Sequence, residues 1–211
     1  SPVIKQEQIF VASKSGTITA LELLNGRKLW QETIGQTITS GPAVGEGVLV
    51  IVSKQPQIIA LAAESGDVLW RTAVSNQVLA PPAISRGRVI FKTVDGQVLA
   101  LELRTGKHLW TYKHGAPTLV LRPSSAPQII ANKVILGFSD GVLTALSLAN
   151  GNLLWERSVA YPQGVTMADQ LVDIAADPLS SSPIIYVVTY QGKLAAISLQ
   201  TGRTLWQRPF S

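Results

Sequence analysis

Short apolar runs and apolar–polar alternation fill this chain, interrupted every few residues by Gly, Pro, Asn, Asp or Ser. No stretch keeps the 3.6-residue spacing of an amphipathic helix. The residues around Asp95 show the pattern. Pro82-Ala-Ile reads as a short first strand, proline being tolerated at a strand's start or on an edge. Arg88-Val-Ile-Phe-Lys-Thr-Val is a second strand, Asp95-Gly96 a tight hairpin turn, and Gln97-Val-Leu-Ala-Leu-Glu-Leu a third. Thr105-Gly106 turns the chain again, and His108-Leu-Trp-Thr-Tyr forms the outer strand.

The same unit recurs five times. Tryptophans stand at 30, 70, 110, 155 and 206, and a proline opens each unit at 2, 42, 82, 127 and 178, so that Pro to Trp is 28 residues every time. Four antiparallel strands in roughly 40 residues, repeated at a fixed internal spacing, predict an all-β fold of β-propeller blades; a β-sandwich would not repeat that interval. The expected organisation is a single propeller domain over 1–211, with blades about 1–35, 41–75, 81–115, 126–160 and 177–211. Glycines at 16, 96, 141 and 192 suit hairpin turns; the second unit has Pro56-Gln57 instead, which predicts a looser hairpin. Alanines at 20, 60, 100, 145 and 196 are read as small residues where neighbouring sheets approach, and the five Trp rings as packing between sheets rather than a ligand cage.

Composition narrows the chemistry. Of 211 residues 46% are hydrophobic and 15% charged, a core-forming balance. There is no Cys, which excludes disulfides, thiolate catalysis and Cys-ligated metals. The net charge of +5 is dispersed from Lys5 to Arg208, without the basic stripe of a nucleic-acid binder. No apolar run reaches the ~18–20 residues of a membrane span, and Ser1-Pro-Val-Ile-Lys is not a signal peptide. No phosphate-binding glycine loop, nucleophile elbow or catalytic constellation occurs, so no catalytic, cofactor or metal residues are assigned. His108 reads as a tolerated surface substitution in a repeat strand, His114 as a loop histidine with neither metal nor triad partners, and Arg104 as an ordinary turn residue.

The repeat is broken between blades. From Trp to the next Pro the spacing is 12, 12, 17 and 23 residues, so the third and fourth connectors, about 111–126 and 156–177, are extended. Long connectors on a rigid scaffold commonly carry binding residues. In the third, Leu119 and Leu121 fall on one side of an extended segment beside Arg122. Two readings stay open: an interface anchor with Arg122 pairing a carboxylate, or leucines tucked under a neighbouring blade with Arg122 solvated. The fourth carries Asp169, Asp173 and Asp177 at four-residue spacing, without the glycine and closing Glu of a calcium loop, so solvated or salt-bridged carboxylates are expected; a short helical turn is allowed within 163–175.

The unit Gly-x-[Val/Leu/Ile]-x-Ala-Leu…Gly-x-x-Leu-Trp resembles the repeat of pyrroloquinoline-quinone-type propellers, which include quinoprotein dehydrogenases, sensor or cell-wall-binding propellers and non-enzymatic scaffolds. Leu119-Val-Leu-Arg122, Ser124-Ser-Ala-Pro127 and Leu171-Val-Asp173 resemble the scaffold members that serve the outer-membrane β-barrel assembly (BAM) complex. That resemblance implies an eight-bladed lipoprotein at the periplasmic face of the bacterial outer membrane, held by a lipid anchor not in these residues. It implies binding to the POTRA domains of BamA, service to unfolded outer-membrane proteins, and no enzymatic activity. It places partner contacts on Leu119, Leu121, Arg122 and Asp173. A second acidic position of the family falls on Ala175, leaving Asp177 as the substitute. Five blades then make a truncated propeller, a closed five-bladed ring being the alternative. A quinone-dependent dehydrogenase is the competing function, disfavoured by the absent Cys and calcium ligands.

Overall fold

Every repeat proline stands immediately before a first strand, where its missing N–H costs no ladder bond. A computed structural model describes residues 2–115, 125–160, 174, 176–190 and 192–209. Its strands, β1 to β20 in chain order, group in fours. Blade one is Val3–Lys5, Gln8–Ala12, Thr17–Glu22 and Lys28–Thr33; blade two is Ala43–Gly45, Val48–Ser53, Gln57–Ala62 and Val68–Ala73. Blade three is Ala83–Ser85, Arg88–Lys92, Gln97–Glu102 and His108–Lys113. Blade four is Gln128–Ile130, Lys133–Gly137, Val142–Ser147 and Leu153–Ser158; blade five is Leu179–Ser181, Ile184–Thr189, Lys193–Ser198 and Thr204–Pro209. Each is an antiparallel meander in which neighbours in sequence are neighbours in the sheet, and no helix occurs among the described residues.

The chain divides into two compact units, Ser1–Thr111 and Tyr112–Ser211. In the first, β6 explains an apolar run that alternation alone would not. Val48, Val50 and Val52 enter a core with Val89, Phe91 and Leu101 of blade three, whereas Leu49 and Ile51 join Phe10 and Ile18 of blade one. Period-two side chains with a neighbour on both faces leave no position for a polar residue. Burying each such Val, Leu or Ile is worth about 1.5–3 kcal/mol. In the second unit, Ile135, Leu143 and Ala145 pack with Ile185, Ala195 and Ile197.

The tryptophans build the joints. Trp30 donates its indole N–H to the Ala63 carbonyl at 2.9 Å, Trp70 to Leu103 at 2.9 Å and Trp155 to Leu199 at 3.1 Å, each on the next blade. Within the sheet each ring faces an alanine: Ala20 pairs Trp30, Ala60 pairs Trp70, Ala145 pairs Trp155 and Ala196 pairs Trp206. The alanines are therefore small because a ring stands directly across the strand, in addition to the approach of the next sheet. A bulge follows each of these pairs, shifting the register by one residue on the strand that carries the ring.

Two sequence expectations change. The hairpin of blade two is not loose: β6 and β7 pair over six residues, from Val48–Ala62 to Ser53–Gln57, and the Ser53 hydroxyl donates to the Gln55 carbonyl to close the turn. Arg104 is more than a turn residue, since it donates to the Glu46 carbonyl at 2.9 Å and so bridges blades two and three.

Candidate functional site

The four residues singled out in the connectors, Leu119, Leu121, Arg122 and Asp173, lie outside the described residues, as do Asp169 and Ala175. Both ends of each extended connector are described, and all belong to the second unit. They meet on one feature, the hairpin turn Phe138–Gly141 between β14 and β15, together with Gly137 that leads into it.

The third connector leaves through His114 and returns through Ser125. The buried Ser125 hydroxyl donates to the Gly137 carbonyl at 3.1 Å. The fourth returns through Ile174, which is fully buried, pairs Thr189 of β18 as an isolated bridge and donates its N–H to the Phe138 carbonyl at 3.5 Å. Gly137 is glycine for this reason, because a Cβ there would stand 2.7 Å from the Ile174 side chain. Asp177 accepts the Ala126 N–H at 2.6 Å, tying the end of the fourth connector to the end of the third. The acid offered by sequence as a substitute for Ala175 thus has an internal partner.

Ile174 is also a repeat residue. Four residues before Pro42 and Pro82, Ile38 bridges Ser53 and Val78 bridges Thr93 in the same way. At the other boundary, four residues after Trp30, Trp70 and Trp155, the N–H groups of Ile34, Val74 and Val159 donate to Gly16, Pro56 and Gly141 carbonyls of their own blades. The added residues of connectors three and four therefore fall between two positions that belong to the blade repeat.

His114 occupies the Trp-plus-four position of blade three, where blades one, two and four carry Ile34, Val74 and Val159 and the sequence of blade five has Phe210. Its side chain is only 8% exposed and stacks on Phe138 with ring centroids 3.9 Å apart at 17°. Nε2 lies 2.8 Å from Asp140 and Nδ1 lies 3.3 Å from Glu156. Tyr112 donates to the same Glu156 oxygen at 3.3 Å, and Thr144 at 3.4 Å. Burial pushes the Asp140 carboxyl up, but the hydrogen bond and charge of His114, with the Val142 N–H, outweigh it and leave the group below its ordinary value. Burial, then the Glu156 charge, push the Tyr112 phenol up to about 12, so it stays a donor. Sequence reasoning placed His114 in a loop; the signal that marks it is its register with the buried Ile34 and Val159 and the half-buried Val74. Among the described residues no group of three His, Cys, Asp or Glu is arranged to hold a metal.

Meander blades joined by an indole-to-carbonyl bond define a β-propeller of the pyrroloquinoline-quinone-like repeat type. The chain belongs to the family described as outer membrane protein assembly factor BamB, which matches residues 2–211. It is 47% identical over 210 residues to the outer membrane protein assembly factor BamB of Legionella pneumophila, and 49% identical over 210 residues to that of Pseudomonas aeruginosa. Each alignment covers 100% of this chain and 55% of the relative, so the chain spans about half the length of the curated relatives it matches. The crystal structure of BamB from Moraxella catarrhalis superposes with a TM-score of 0.92 at 29% identity, covering 100% of this chain and 64% of that one. A quinohemoprotein alcohol dehydrogenase from Pseudomonas putida superposes with a TM-score of 0.80 at 13% identity over 99% of this chain and 41% of its own, a likeness of fold alone.

Proposed function

We propose that this chain is part of a non-enzymatic scaffold subunit of the BAM complex, at the periplasmic face of the outer membrane and held there by a lipid anchor. It binds the POTRA domains of BamA through its third and fourth connectors and so aids the folding and insertion of β-barrel proteins. The observation that supports this most is the gathering of both connectors' ends on Gly137 and the Phe138–Gly141 turn, in a chain whose family is named for outer-membrane protein assembly. Leu119 and Leu121 supply apolar contact, Arg122 meets an acidic group of the partner, and Asp173 pairs a partner cation or holds Arg122.

Truncating an interface anchor commonly costs about 1–4 kcal/mol, and removing half of a buried charge pair about 2–5 kcal/mol. Leu121→Ala and Arg122→Glu should therefore weaken binding of a BamA POTRA fragment at least tenfold by calorimetry, with the circular dichroism spectrum unchanged. Lys28→Glu, an exposed position on β4, is the control and should bind as the wild type does. Arg104 is unsuitable as a control because of its bond to Glu46. Equal affinities for all variants would remove the connectors from the partner site.

A further inference from the structure

Three substitutions set the turn of blade four and its surroundings apart from their counterparts, and two of them, Phe138 and Glu156, contact the third, His114. The first residue of the turn is a hydroxyl in the other blades, Ser13, Ser53, Thr93 and Thr189, but Phe138 here. In blades one, three and five that hydroxyl accepts an N–H four residues on, at 3.0 Å in Ser13, 3.2 Å in Thr93 and 3.3 Å in Thr189. In blade four Asp140 takes over, accepting the Val142 N–H at 3.2 Å. The residue after the Trp is Gln31, Arg71, Thr111 and Gln207 elsewhere, but the acid Glu156 here. The Trp-plus-four aliphatic of blades one, two and four is replaced by His114 in blade three. A hydrophobic plug has become a stacked ring held between two carboxylates, at the point where the third connector leaves the repeat.

Donor arithmetic makes this arrangement depend on charge. A neutral imidazole has one N–H, so with a carboxylate oxygen at each nitrogen one contact sets a lone pair against an anion; only the imidazolium donates to both. The groups facing the ring are Asp140 from the β14–β15 turn, Glu156 from β16, Thr144 from β15 and Tyr112 from its own strand β12. No described contact brings a Lys or Arg to this ring. Phe138, 3% exposed, covers its face.

We propose that His114 is a positioning residue for the partner site, whose ring, stacked on Phe138, bonded to Asp140 and paired with Glu156 when charged, fixes the root of the third connector. This deepens the reading above and rests on it, since the connector is the element proposed to carry Leu119, Leu121 and Arg122. Gly115 follows His114 directly, and Ser125 holds the connector's other end to Gly137, so both ends are seated on one turn. Imidazoles change charge between about pH 5 and 8, and deprotonation removes one of the two donors. The seat should therefore loosen as pH rises.

The test uses calorimetry with the BamA POTRA fragment from pH 5.5 to 8, alongside the NMR shifts of the Gly115 and Phe138 amides over the same range. Wild-type affinity is expected to fall at least threefold as pH rises. His114→Val restores the repeat's aliphatic residue and should fold normally, bind more weakly at pH 5.5 and show a flat profile. Glu156→Gln should rescue affinity at pH 8, because its amide N–H can donate to the unprotonated Nδ1, a gain that a merely structural role would not give. His108→Gln removes the chain's other histidine and should leave the profile as it is. A pH profile that survives in His114→Val would overturn the proposal. If no variant binds at any pH, the POTRA reading fails instead. The positioning role is then decided by Gly115: a shift that titrates in the wild type and not in His114→Val supports it, and one that is the same in both overturns it.

Discussion

Gly106 allows the joint between blades two and three to be tested in isolation. It sits at φ +70°, and a Cβ added there would stand 2.5 Å from Cε3 of Trp70 and 2.6 Å from Oγ1 of Thr72. Thr72 donates to the Gly106 carbonyl at 3.0 Å, so neither neighbour can retreat without losing a bond or a packed ring. Gly26 occupies the same turn of blade one, at φ +71°, with nothing within 4 Å of where an added methyl would stand. Both glycines donate to a glutamate carbonyl four residues back at 2.9 Å, Glu102 and Glu22 respectively, so the turns match and only the neighbour differs. Placing Ala in the left-handed region costs about 1–2 kcal/mol. Forcing extra volume into a packed interface costs about 1–3 kcal/mol more. Gly26→Ala should therefore lose only the first amount, and Gly106→Ala about 2–5 kcal/mol in all. For a chain of this size each kcal/mol moves Tm by about 2–4 °C, a difference that scanning calorimetry resolves. Gly66→Ala, whose methyl would meet the Trp30 ring at 2.6 Å, should behave like Gly106→Ala. Equal losses at positions 26 and 106 would show that the glycine is kept for its backbone alone and that the ring does not press on it.

Trp70→Phe keeps most of the ring but removes the donor to Leu103, and an unsatisfied buried carbonyl should cost about 1–3 kcal/mol in urea unfolding. The same change at Trp206, which is 41% exposed, should cost less than about 0.5 kcal/mol. Acid unfolding of the second unit tests Asp140. Its folded carboxyl lies below the ordinary value, so its stabilisation is complete above the unfolded-state value of about 3.9 and is lost as pH falls through the lower folded one. In His114→Val burial still pushes that carboxyl up while the opposing ring is gone, so the acid transition followed by circular dichroism should move to higher pH; an unmoved transition would refute the assigned cause.

The propeller repeat was legible because its determinants are local and incompressible. A proline that must precede a first strand and an indole that must reach the next blade's carbonyl allow no insertion between them, hence the constant 28 residues. Blade two misled because a turn glycine is one way to close a hairpin and a serine hydroxyl bonded across the turn is another. The alanines were recognised as small without their partner, since which residue faces Trp30 across the sheet depends on register and not on spacing.

His114 was misplaced for a different reason. The repeat is marked to the eye by Trp, so everything beyond it looks like connector. The backbone puts the boundary later: the N–H groups of Ile34, Val74 and Val159, four residues on, still bond their own blade. The blade equally reclaims the chain four residues before the next proline, at Ile38, Val78 and Ile174. Between these limits lie three residues in connectors one and two, residues 35–37 and 75–77, against 160–173 in the fourth. Insertion at that place leaves the described indole joints and bridges intact, so a connector can lengthen without disturbing the core that carries it. The cost falls on the limit residues themselves, which must hold a longer connector. Aliphatics, Ile34 and Val159 buried and Val74 half-buried, suffice where the connector returns at once or is gripped at its far end by Ile174. At the root of the third connector the His114 ring stacks on Phe138, with Nε2 bonded to Asp140 at 2.8 Å and Nδ1 3.3 Å from Glu156, which adds direction to burial; direction is what the proposed site needs if Arg122 is to meet a partner's carboxylate in one orientation.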